Sequence, residues 1–148
     1  MSTGRRRFVA VAVTAVALVL TSCTVKEPDA GEWRDLAQQS LDDVASEVAT
    51  ARLTLIQLDD DQLPSSYGET VLADAEKAAS TSEEDLSSVQ APPGLRARAD
   101  QVLALIGRAV DAVRLARENV VAGRFHAPVL VRKLGWLQKA LDQRRANL

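Results

Sequence analysis

The sequence is short of the residues that chemistry most often needs. Its 148 residues include one cysteine, Cys23, and one histidine, His126. A single cysteine excludes an internal disulfide and a cysteine-cluster zinc site, and a single histidine excludes a multi-histidine metal site within one chain. Aromatic residues make up only 3% of the chain, and its 7 glycines and 5 prolines are few and clustered. No stretch alternates apolar and polar residues as a half-buried strand does. No glycine-rich phosphate loop is present. What is abundant favours helix: 47% apolar residues, mostly Leu, Ala and Val, beside 26% charged ones. That balance suits a folded chain rather than a disordered one. The length suits one domain.

The first residues differ from the rest. Arg5, Arg6 and Arg7 form a positive cluster, followed at 8–20 by thirteen uncharged, almost wholly apolar residues (FVAVAVTAVALVL). As a helix this run is about 20 Å long, short of a hydrocarbon core of about 30 Å. A basic start, a short apolar run and small residues at its end describe a secretory signal peptide. The run closes on Leu20-Thr21-Ser22-Cys23. This resembles the lipobox of bacterial lipoproteins: a branched apolar residue, two small residues and a cysteine. The resemblance implies cleavage between Ser22 and Cys23 and a diacylglyceryl group on the Cys23 sulfur. It further implies a membrane-lipid anchor on the extracytoplasmic face of the cell membrane. Each buried methylene contributes about 0.8 kcal/mol, and two acyl chains hold a protein where one is marginal. A sulfur consumed as a thioether needs no partner thiol. Gly4-Arg5-Arg6-Arg7-Phe8-Val9 also resembles a twin-arginine export signal, with Gly4 where Ser or Thr is usual. A plain positive start explains the same arginines, so both export routes stay open.

The expected organisation is a signal peptide at 1–22, a lipidated cysteine and tether at 23–31, and a helical domain at 32–148. Residues 24–31 (TVKEPDAG) read as a linker. Eight residues reach at most about 28 Å, which keeps the domain near the membrane.

Beyond the linker, apolar residues recur with a helical period. Ala37, Leu41, Val44, Val48, Ala51, Leu55 and Leu58 are spaced alternately by four and three, predicting a helix over 32–58. It should stop before Asp59-Asp60-Asp61, whose charges oppose the negative end of the helix dipole. Ser66 and Glu69 fit a capping box for a helix reaching about residue 90 on Leu72, Ala75, Ala79, Leu86 and Val89. Thr81-Ser82-Glu83-Glu84 offers a second box, predicting a kink or restart near 80–82. Pro92-Pro93-Gly94 marks a turn and a helix start. The third seam is Ala99, Val102, Ile106, Ala109, Val113, Ala116 and Val120, broadened by Leu103 and Val110, with Gly123 as its stop. Pro128 opens a last helix on Leu130, Leu134, Leu137 and Leu141, ending in Arg144-Arg145. Four amphipathic segments with short connections give the fold expectation: an all-α, up-down-up-down four-helix bundle. The seams fit packing within one chain or between chains.

Charge is divided between the halves. Residues 23–91 carry 4 basic and 16 acidic side chains, net −12; residues 92–148 carry 11 and 4, net +7. The simpler reading sets acidic helices beside basic ones in exposed pairs worth about 0–1 kcal/mol each. The other presents a basic face to anionic lipid or to an acidic envelope polymer. Extracytoplasmic location and a net negative charge argue against nucleic acid as a partner.

No catalytic constellation emerges. His126 reads as a solvated turn residue. Asp59-Asp60-Asp61 lacks the glycine and the twelfth-position glutamate of a calcium loop. The pairs Asp42-Asp43 and Glu83-Glu84 point about 100° apart on a helix and do not converge. The Glu-x-x-His pairs of a di-iron bundle are missing. No cofactor is therefore expected. Trp136 lies about 120° from the Leu130 seam and is expected to pack on another helix, as Trp33 is on the core. Otherwise Trp136, with Phe125, is an exposed anchor for a partner or for the lipid interface.

The whole chain resembles the small helical lipoproteins of actinobacteria, a likeness that brings no catalytic residue with it. The expected function is binding, not catalysis: an anchored bundle that engages an envelope protein or other envelope component. The rival is a small-ligand carrier or sensor, with a cavity left between helices by alanine and valine seams.

Overall fold

The computed structural model describes residues 29–148 as four α-helices and one 3₁₀ turn, with no strand among them. The expected signal peptide at 1–22, the cleavage expected between Ser22 and Cys23, the expected lipidation of Cys23 and the expected export signal all fall outside the described residues. The helices are α1 (Ala30–Asp59), α2 (Ser65–Ser88), α3 (Arg96–Val121) and α4 (Pro128–Ala146), with the 3₁₀ turn at Pro93–Leu95. Among the described residues no helix is long and apolar enough to cross a membrane.

α1 begins two residues earlier than its apolar spacing implies, because Asp29 builds its start. Asp29 Oδ1 accepts hydrogen bonds from the backbone N–H of Gly31 (2.7 Å) and Glu32 (2.8 Å), and Glu32 returns its carboxylate to the Asp29 N–H. This capping box draws Ala30 and Gly31, expected in the tether, into the first turn. At the other end Asp61 takes a left-handed conformation (φ 53°). The Asp61 and Gln62 N–H groups then bond back to the carbonyls of Leu58 and Gln57, a complete Schellman closure. α3 closes in the same way around Gly123 (φ 68°), with Gly123 and Arg124 bonding back to Val120 and Asn119.

α2 departs from expectation twice. Its N-cap is Pro64, without a side-chain hydrogen bond, so Ser66 sits inside the first turn and caps nothing. The helix also runs unbroken through 80–82 to Ser88. The Thr81 and Ser82 hydroxyls donate to the carbonyls of Lys77 and Ala78, four residues back. A hydroxyl bonded that way satisfies itself within a continuing helix and leaves no cap to start a new one.

Contacts along the helices fix their directions. Glu76 meets Arg114 and Arg117, and Glu83 approaches Gly107, so α2 and α3 are antiparallel. His126 meets Asp59, Arg52 lies by Gly135 and Arg145 meets Asp42, so α4 runs antiparallel to α1. Arg144 bonds Gln101 and Arg98 bonds the Leu148 carbonyl, which sets α3 against α4. Gly68, one turn into α2, faces Leu58 so closely that a Cβ there would stand 2.8 Å from Leu58 Cδ1. The order around the bundle is therefore α1-α2-α3-α4, up-down-up-down, and α1 and α3 also touch across the diagonal. The seams pack within the chain.

All seven expected seam positions of α1, all seven of α3 and all four of α4 are buried. Of the two residues expected to broaden the α3 stripe, Val110 is buried and Leu103 half-buried, and α1 and α3 bury still more, including Ala45 on α1 and Leu105 and Ala112 on α3. Each of these helices touches the other three, so each needs a wider apolar face. Trp33 is 1% exposed. It lines the end of the bundle nearest the chain's entry, beside Leu86, Ala91, Ala99 and Leu103.

Candidate functional site

α4 buries only Leu130, Leu134, Leu137 and Leu141. It lies against α1 and α3, which meet each other behind it, so a narrow leucine stripe satisfies its inner side. Its outer side is left to solvent. There Trp136 is 60% exposed and Val129 is 70% exposed. This departs from the expectation that the Trp136 flank packs on another helix. Phe125, grouped with Trp136 in the anchor reading, is half-buried against the core in the loop before α4, more than two turns from Trp136. It does not join that face.

Cations surround Trp136. Arg132 and Lys139 lie about one turn before and after it on the same side of α4, and Lys133 is on its flank. Two grooves share the indole. One, of about 590 Å³, runs between α4 and α1 and takes Arg52, Arg132 and Lys139 into its walls. The other, of about 450 Å³, runs between α4 and α3 and includes Arg108 and Arg144. Arg52 and Arg108 come from other helices and did not stand out in the sequence. A faint signal was Gly135: a Cβ there would sit 3.2 Å from Arg52 Nε, so a bare backbone lets the guanidinium lie across α4. Arg52, Arg108, Arg132, Lys133 and Lys139 enter no ion pair among the described residues.

The opposite corner is acidic. Asp43 and Glu47 of α1 and Asp74 and Asp85 of α2 border a shared groove, with Lys77 among them. Burial, and secondarily the Asp43 charge, push the Glu47 carboxyl above its usual range. On the α2–α3 seam Glu76 is held below that range by its hydrogen bond from Arg117, which outweighs the effect of burial, with Arg114 adding to it at 3.1 Å. Two interhelical ion-pair groups, Glu76 with Arg114 and Arg117 and Asp42 with Arg145, join acidic helices to basic ones. They leave the Trp136 cations outside any ion pair among the described residues, with one carboxylate, Asp142, lining the α4–α1 groove beside them.

His126 is an exposed turn residue as expected, with Nδ1 3.1 Å from both Asp59 carboxylate oxygens. It ties the end of α1 to the start of α4. Among the described residues no group of three or more His, Cys, Asp or Glu side chains is placed to hold a metal ion. No buried side-chain polar atom among them lacks a hydrogen-bond partner.

No protein-family model, no curated protein and no solved structure matches the chain.

Proposed function

We propose that the chain is a lipoprotein, anchored through Cys23 on the extracytoplasmic face of the membrane, that works by binding rather than catalysis. The α4 face around Trp136 is its contact surface for an envelope protein or other envelope component. The observation that carries the binding half is the exposed indole among unpaired cations. Exposed large aromatics flanked by arginines are the composition that binding surfaces favour. The anchoring half rests on the residues Leu20-Thr21-Ser22-Cys23 after a short apolar run.

Crosslinking in intact native cells, followed by purification and mass spectrometry, tests both halves. The wild type is expected in the membrane fraction with a defined crosslinked partner, an envelope protein or a membrane lipid. Cys23→Ala should leave that fraction and lose the partner. Trp136→Ala should stay in the membrane fraction and lose the partner, and crosslinks unchanged in Trp136→Ala would overturn the assigned face.

A carrier reading has one observation in its favour. A mostly apolar groove of about 380 Å³ lies where α3 ends and α4 begins, walled by Leu115, Pro128, Val129 and Leu130. Extraction of small molecules from the natively purified protein tests it, and a recovered apolar compound lost in Leu115→Asp would support it. The alanine seams favour packing over a cavity: Ala37, Ala51, Ala79, Ala109, Ala112 and Ala116 are all fully buried where helices approach.

A further inference from the structure

We infer that the α4 face docks sideways on an anionic phospholipid surface, with Trp136 at headgroup depth and Arg52, Arg132 and Lys139 against the phosphates. This deepens the reading above and rests on its assignment of the α4 face as the contact surface.

Charge selects the face. Residues 23–148 are net negative, with the excess on α1 and α2, so an anionic surface repels most orientations of the bundle. Among the described residues, the α4 side is where several cations lie outside any ion pair. Near a charged membrane each such cation is attracted, and the attraction fades within a Debye length, about 8 Å at physiological salt. The five cations share one side of the bundle, so they act together in one orientation. Chemistry selects the depth. Tryptophan favours the membrane interface, where its ring is half in hydrocarbon and its N–H meets water and headgroups. Trp136 stands out between two grooves instead of filling one, with Val129 two turns earlier also exposed. An exposed indole with cations beside it suits contact with an anionic interface, the ring at headgroup depth and the cations toward phosphate.

The point of attachment permits this pose. The described chain begins at Asp29, on α1, the direct neighbour of α4. That end of α1 is also the end where α4 finishes, as the Asp42–Arg145 pair shows. Five residues lie between Cys23 and Asp29, six Cα–Cα steps with a reach of about 20 Å when extended. A bundle on so short a lead meets the surface either with its end or with a flank, and the α4 flank is the one bearing unpaired charge.

The test uses the full chain reconstituted in two kinds of vesicle: phosphatidylcholine alone, and phosphatidylcholine with a quarter replaced by phosphatidylglycerol. Flotation reads attachment, and tryptophan emission with brominated-lipid and iodide quenching reads docking. Trp33 is sealed in the core, so the responsive signal belongs to Trp136, and Trp136→Phe identifies it. Flotation with both vesicles supports the anchor. Docking is supported if Trp136 shifts to the blue and is quenched by brominated lipid only in anionic vesicles, reversibly with salt. Arg132→Gln and Lys139→Gln should each lower the ratio of docked to undocked protein roughly fivefold. Flotation with both vesicles while Trp136 stays open to iodide in each overturns the docking and leaves the anchor standing. Shielding of Trp136 that is equal in both lipids, or that follows protein concentration, also overturns it and points to a protein partner or a second copy. Flotation with anionic vesicles alone keeps the docking and removes the anchor; flotation with neither overturns both.

Discussion

Glu47 and Glu76 are both partly buried glutamates beside interhelical seams, and their surroundings push them in opposite directions. Glu47 lies by Asp43 and loses hydration, so its folded-state pKa is raised above the ordinary 4.5. Below 4.5 the group is neutral folded and unfolded and costs nothing. As pH rises through the raised value, the folded protein carries a charge that the unfolded chain holds more comfortably. Glu47→Gln is therefore expected to stabilise the bundle at neutral pH, with the gain vanishing in acid below 4.5. Glu76 has the reverse sign: its hydrogen bond from Arg117 lowers its folded pKa. Its contribution is present above 4.5 and is lost as pH falls through the depressed value. Glu76→Gln should destabilise at neutral pH and converge with wild type in acid. Urea titrations of both variants across that range check the pair, and two shifts of the same sign at neutral pH would show that the assignment is wrong. The tryptophans give a second contrast. Trp33→Ala empties a fully buried site and is expected to cost about 3–5 kcal/mol. Trp136→Ala removes an exposed ring and should stay within about 0.5 kcal/mol of wild type by urea titration.

The helices themselves were largely legible in the sequence, and the reason is periodicity. The alternating spacing of four and three in α1 and α3 marks residues that are all buried, because a repeat that long places one stripe against the core. Caps were less legible. Asp29-Ala30-Gly31-Glu32 reads as a linker because of its glycine, yet the Asp and Glu three residues apart make the capping box of α1. Ser66-x-x-Glu69 has the same spelling and caps nothing, because Pro64 already fixes the entry to α2. The outer side of α4 was misjudged for a tertiary reason: how wide a face a helix must bury depends on how many helices it touches, and no local spacing carries that number. Arg52 and Arg108 were missed at the site on the same ground, since they reach it from two other helices. Asp29→Ala tests whether the local signal matters energetically. Two backbone N–H groups lose their acceptor, and the expected cost is about 1 kcal/mol. Thermal unfolding should show it as a lower midpoint with a helical signal otherwise unchanged, whereas an unshifted midpoint would mean that solvent caps α1 as well as Asp29 does.

The molecule as a whole is two helical hairpins of opposite charge. Residues 29–91, holding α1 and α2, carry 3 basic and 15 acidic side chains, net −12; residues 92–148, holding α3 and α4, are net +7. Each hairpin alone exposes half of one shared core. It also lacks the charges that offset its own repulsion, since Glu76 and Asp42 find their cations on the other hairpin. Neither fragment should therefore fold alone at micromolar concentration, while an equimolar mixture should regain helix and bury Trp33. Trp33 is the right reporter because its neighbours Ala99 and Leu103 belong to the second fragment. Attraction between the fragments is long-ranged at about 0.01 M salt, where the Debye length is roughly 30 Å, and is screened within about 3 Å at 1 M. Association should then weaken at least about tenfold across that range, mostly through a slower on-rate, since steering by opposite charges acts on encounter. The apolar seams are unaffected by screening, so the complex should persist at high salt rather than dissolve. Circular dichroism and Trp33 emission on mixing read both effects. An association indifferent to salt would mean that the halves recognise each other through the core alone, and that the charge division serves only the outer surfaces.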